Sequence, residues 1–124
     1  PVRPGGRPGR EGAAAAAAMR GARALPDAVF AFMDRCALGV MDVLIRSGIS
    51  VPQQISVIGF DDSPLAGLAH INLTTVRQDS VGLAGAAVQR LVARLDGTIE
   101  GGEAVDIVRE PTLVVRGSTA PPTS

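Results

Sequence analysis

The chain has 124 residues, 46% of them hydrophobic and only 2% aromatic, and its twelve basic residues balance twelve acidic ones. This is enough chain for one small domain with a core and too little for two. All twelve basic residues are Arg, which excludes chemistry that needs a lysine, such as a Schiff base, a phosphate-loop lysine or a lysine general base.

The aromatics are Phe30, Phe32 and Phe60, so there is no Trp or Tyr stacking platform. Cys36 is the one cysteine; no internal disulfide or cysteine metal cluster can form, and it reads as a small buried hydrophobe. Neither a metal nor a cofactor is expected. No apolar run approaches membrane-spanning length, and Ala13–Ala18 is too short and too weakly apolar for a secretory signal, so a cytoplasmic protein is expected. Charge is uneven. Residues 1–26 hold five Arg against Glu11, whereas residues 27–124 hold seven Arg against eleven acids. A mildly acidic folded part argues against this segment itself gripping DNA.

Residues 1–10 contain only Pro, Gly, Arg and Val, bury nothing, and read as a disordered basic segment. Glu11 to about Arg23 has high helix propensity with a thin apolar side, the pattern of a surface helix packed along one edge. Leu25-Pro26-Asp27 breaks it. Residues 28–32 read as a buried strand, and Asp34 as the N-cap of a helix over about 35–47, with Gly48 at its C-terminal end. Residues 55–60 are a second buried strand rich in β-branched residues, broken by Gly59 and followed by Asp61-Asp62. Helix, strand, helix, strand implies a βαβ unit with parallel strands, placing Asp34 and Asp61 on one rim of the sheet, where α/β proteins bind ligands. Residues 63–72 read as a loop, 73–77 as a third strand, and 81–95 as an amphipathic helix capped by Asp79 or Ser80 and ended by Gly97. Residues 104–108 and 112–116 are two last strand candidates, and 121–124 a tail.

Four pieces stand in a fixed order: Pro26-Asp27-Ala28-Val29-Phe30-Ala31 with Asp34 and Ala37-Leu38-Gly39; Ile55-Ser56-Val57-Ile58-Gly59-Phe60-Asp61-Asp62; Leu73-Thr74-Thr75-Val76-Arg77-Gln78; and Leu113-Val114-Val115-Arg116-Gly117-Ser118-Thr119. Together they resemble the C-terminal half of the effector-sensing domain in LacI/GalR-type bacterial transcriptional repressors, over about residues 11–120. The resemblance implies an α/β, periplasmic-binding-protein-like subdomain with a parallel sheet in a three-layer αβα arrangement, and an incomplete second subdomain. Strand 73–77 with Gln78 would be one crossing between subdomains, and helix 81–95 would belong to the other one. The helix-turn-helix headpiece lies upstream in such proteins, so the chain is expected to be part of a longer regulator and to reach operator DNA only through a headpiece it lacks.

The resemblance also implies site residues. Asp61 faces the cleft and accepts hydrogen bonds from a sugar-like effector, which suits an acceptor-only carboxylate. Asp62 holds the loop 63–68 through Asx-type bonds to backbone N–H groups. The family carries Asn immediately before the aspartate at position 34; here Met33 stands instead, so that either the effector is less polar at this point, or Phe32 and Met33 make an apolar wall, or sensing has decayed. Asp34 fits the family's ligand position, although helix capping explains it equally well, and Gln78 and Arg77 sit at the crossing. Leu38 and Met41 fall on the helix that makes the family's dimer contact, with Ala69 and His70 nearby; ordinary core packing explains the two helix residues as well.

The leading expectation is therefore the effector-sensing part of a LacI-type regulator, not an enzyme, forming a homodimer and having no membrane partner. A solute-binding protein of a sugar transporter shares the fold. A Mg²⁺-dependent phosphoryl-transfer or receiver-like domain would use Asp34, Asp61 and Asp62, but a receiver also needs a lysine.

Overall fold

The computed structural model describes residues 8–21, 25–99 and 106–122. In chain order its elements are α1 (Pro8–Arg20), β1 (Ala28–Phe30), α2 (Asp34–Arg46), β2 (Ser56–Phe60), β3 (Thr74–Arg77), α3 (Ser80–Leu95) and β4 (Thr112–Val114). The strands form one sheet in the order β1-β2-β3-β4. β2 is central and pairs in parallel with β1, Val29 opposite Val57, and with β3, Gly59 opposite Thr75. Along β2 the buried Val57 and Gly59 alternate with half-buried Ser56, Ile58 and Phe60, the period of a strand with two unlike faces. β1 lies at the edge of the sheet and is less buried than its apolar sequence suggests: Phe30 is 63% exposed.

α2 packs on β2. Its buried residues Ala37, Val40, Met41 and Leu44 recur at i, i+3, i+4 and i+7, one stripe of a helix. The core joins them to Ile55, Val57, Ala66 and Leu73. The helix ends as the sequence indicates: Gly48 has φ +75°, its N–H reaches Ile45 O at 3.0 Å, and Ile49 N–H reaches Leu44 O at 3.0 Å, a Schellman arrangement.

α1 differs from expectation in where it starts. It starts at Pro8 and ends at Arg20, so Pro8–Arg10 are helical rather than disordered; residues 1–7 and 22–24 lie outside the described residues. As expected of a surface helix packed along one edge, it buries only Gly12 and Ala16, against α2. Ala16 is fully buried, and the backbones of α1 and α2 meet through glycine. A Cβ on Gly39 would overlap the carbonyl oxygen of Gly9, and one on Gly12 would overlap that of Cys36. Small residues allow this approach, and the thin apolar side of α1 is the price of proximity.

The chain divides into two compact units, residues 1–77 with 113–124, and residues 78–112. In the second, Asp79 Oδ1 accepts from Gly82 N–H at 2.9 Å and caps α3, as expected, yet no residue of α3 is buried. The strand expected over 104–108 does not form at residues 106–108, and 104–105 lie outside the described residues. β4 stops at Val114, short of the expected 116. The segment after it is claimed by other partners: Ser118 O accepts from Val57 N–H, while Ser118 Oγ donates to Val57 O and accepts from Thr74 N–H. Residues 116–120 thus stitch the starts of β2 and β3.

Candidate functional site

The C-terminal ends of the parallel strands carry the polar residues singled out in the sequence. β2 ends in a turn with two non-glycine residues at positive φ, Asp61 at +112° and Asp62 at +49°. Such backbone is costly for a residue with a Cβ, of order 1–3 kcal/mol, and persists where surrounding contacts impose it. Here Asp61 N–H donates to Val76 O at 2.9 Å and Asp62 N–H to Thr75 Oγ1 at 3.3 Å, so β3 holds the turn. Asp61 is left exposed at the strand tip.

Asp34 does not cap α2. The N-cap is Met33, in extended backbone with no side-chain bond, and Asp34 is the first helical residue. It is 1% exposed. Thr75 Oγ1 donates to its Oδ1 at 2.5 Å and Ser63 N–H to its Oδ2 at 2.6 Å. A buried carboxylate needs such donors, and these tie the start of α2 to β3 and to the loop after β2. Gly59 is what admits it. Rather than breaking the strand, Gly59 lies inside β2, and a Cβ there would overlap Asp34 Oδ1.

Asp62 does not hold its own loop through backbone N–H groups either. Its carboxylate, 9% exposed, accepts from Arg77 Nε at 2.6 Å and from an Arg116 terminal nitrogen at 2.7 Å. The other terminal nitrogen of Arg116 donates to Leu73 O at 2.9 Å. Burial alone would raise the Asp62 pKa; the bonds and charges of Arg116 and Arg77 outweigh it and hold the group below its ordinary value. Asp62 is therefore ionised at neutral pH. Close by in sequence, Ser63 Oγ is a buried side-chain oxygen with no hydrogen-bond partner within the protein.

Because β1 and β2 are parallel neighbours, Phe32 and Met33 after β1 share the rim with Asp61 after β2. Phe32 is 57% exposed and Met33 half-buried, so both present apolar surface at this rim. Gln78 follows β3 directly and opens the second unit. Of the residues assigned to a dimer contact, Ala69 and His70 are exposed and Leu38 is half-buried, whereas Met41 belongs to the core and has little surface left for a partner. Among the described residues no three acids, cysteines or histidines gather as a ligand set for a metal. Asp34 and Asp62 are committed to protein donors instead. Cys36 is buried, and burial followed by the charge of Glu11 pushes its thiol pKa up, the opposite of a nucleophile's shift. No described helix is long and apolar enough to cross a membrane.

Sequence reasoning missed the parts played by Thr75, Ser63 and Arg116. Arg116 lies 54 positions from Asp62, and no local pattern reports a pairing over that separation.

The profile of the periplasmic binding protein-like domain matches residues 1–119. The HTH-type transcriptional regulator MalR of Streptomyces coelicolor is 42% identical over 93 residues, covering 75% of this chain and 26% of its own length. A transcriptional regulator from the aml 5' region of Streptomyces violaceus is 46% identical over 68 residues, covering 55% of this chain and 86% of that one. The chain thus spans about a quarter of MalR. Among solved structures, a LacI transcriptional regulator from a Rhodococcus species is 45% identical with a TM-score of 0.81, over 90% of this chain and 40% of that one. A Lactobacillus casei LacI regulator with bound sucrose is 34% identical (TM-score 0.76, 90% of this chain and 40% of that one). The regulator CelR in complex with cellobiose is 35% identical (TM-score 0.80, 89% and 33%).

Proposed function

The chain belongs to the periplasmic-binding-protein-like domain family in its LacI-type regulator branch, and from that premise we propose that it is the part of a transcriptional regulator's sensor that receives a sugar-like effector. The observation that carries this reading is the turn at the end of β2. A central strand ends in an exposed carboxylate, Asp61, on backbone at φ +112°, next to a second acid that two arginines hold in place. Strained backbone over-determined by its surroundings is characteristic of ligand sites. Sucrose and cellobiose in two structural relatives supply the ligand class.

Asp61 accepts hydrogen bonds from effector hydroxyls, and Phe32 and Met33 offer apolar surface to a sugar ring face. Met33 donates no hydrogen bond, so the effector presents its less polar side there. Asp34 serves the site indirectly by fixing the loop beyond Asp61. Nothing in this set transfers a proton or attacks a bond; the chemistry is recognition without turnover. Effector binding shifts an equilibrium between two arrangements of the sensor, and the shift alters operator affinity in a dimer. The dimer contact draws on Leu38, Ala69 and His70.

The experiment is a calorimetric titration of the full-length protein with a panel of mono- and disaccharides, followed by operator binding with and without the one that binds. A saccharide should bind and change operator affinity severalfold. A protein that takes up none of them, or that binds one with no change in operator affinity, would refute the sensor reading.

A further inference from the structure

The Asp62 carboxylate does more than hold a turn. The chain leaves the first unit after Arg77 and returns to it at Leu113. The two arginines on Asp62 stand at these passages: Arg77 is the last residue before the exit, and Arg116 comes three residues after the return. Asp62 itself follows Asp61, in the same positive-φ turn. We infer that Asp62 is a clamp that makes the two chain crossings and the Asp61 turn move as one body, so that a ligand on Asp61 acts on both crossings at once. The inference rests on the sensor reading for its ligand and on geometry for the clamp.

Three features give the clamp its strength. Asp62 is 9% exposed, and its bond to the part-buried Arg116 is shielded from water more than its bond to the exposed Arg77. Each of its oxygens takes a different arginine, Oδ2 from Arg77 and Oδ1 from Arg116, so neither pairing replaces the other. Arg116 also holds Leu73 O, and Arg116 N–H donates to Thr74 Oγ1 at 2.8 Å, which anchors the returning chain along the start of β3. Exit and return are thereby bridged through one side chain from a third segment.

Residue-resolved amide exchange on the full-length protein tests this without any ligand. The Asp61 amide, bonded to Val76 O, reports on the exit; the Gly117 amide, bonded to Asn72 O, reports on the return. Asp62→Asn should speed exchange at both by at least tenfold while the Leu44 amide in α2 is unchanged. Arg77→Gln touches only the exit and, with Arg77 56% exposed, leaves the fold intact should Asp62→Asn not fold. It should speed Gly117 as well as Asp61, by at least threefold, and Arg77→Lys should restore part of the protection. Acceleration confined to Asp61 in Arg77→Gln, or none at either amide, or equal acceleration at Leu44, would overturn the clamp. A protein with the paired loss that binds no saccharide keeps the clamp and loses the sensor reading; one that binds a saccharide while its crossings exchange independently loses the clamp alone.

Discussion

Helices α2 and α3 are written in the same style and end in opposite circumstances. Both carry an apolar stripe and a capped end. α2, with 13 residues, buries Cys36, Ala37, Val40, Met41 and Leu44 against β2 and α1. α3, with 16 residues, buries none: Leu95 is 77% exposed, and Val81, Val88 and Leu91 are exposed with it. An amphipathic pattern states that a helix has an inner face; it does not state where the partner is. For α2 the partner is within this chain. For α3 we propose that it lies in the remainder of a longer regulator, since this chain spans about a quarter of MalR.

That contrast can be broken by matched truncations. Leu44→Ala removes a fully buried side chain and should cost about 2–5 kcal/mol of stability by denaturant melt of the 124-residue chain. Gly39→Ala should cost about 1–3 kcal/mol in the same measurement, because the new methyl has only the backbone of α1 to displace. Leu91→Ala in α3 should change it by no more than about 0.5 kcal/mol, and in the full-length protein the same substitution should cost clearly more. Equal costs for Leu44 and Leu91 in the short chain would erase the distinction between the helices.

What the sequence made legible follows the range of the interaction. Gly48 ending α2 and Asp79 starting α3 were readable because caps act over three or four residues. The parallel pairing of β1 and β2 followed from the strand, helix, strand signals, whereas the loop between β2 and β3 carries no such signal and only the family resemblance implied a parallel β3. The acids were harder. Asp34 looks like an N-cap from its neighbours alone, but Thr75, 41 positions away, and Ser63 decide its role. Asp62 looked like a local loop holder until Arg77 and Arg116 reached it from other segments. That α1 packs along one edge is legible, but its close approach to α2 is not, because alanine and glycine seem too small to matter when their smallness is what lets two helix backbones touch. The edge strand β1 followed its propensity without the burial expected of it, since burial depends on neighbours that propensity does not see.

The central claim is that Asp61 stands at the end of β2 for its carboxylate and not for its backbone. Asp61→Gly in the full-length protein separates the two, because glycine adopts φ +112° without the strain that aspartate bears there. Calorimetric titration with the saccharide that the wild-type protein binds, beside a thermal melt, should show affinity weakened at least tenfold, about 1.4 kcal/mol, with the melting temperature unchanged or raised. Unchanged affinity in a stably folded Asp61→Gly protein would contradict the account.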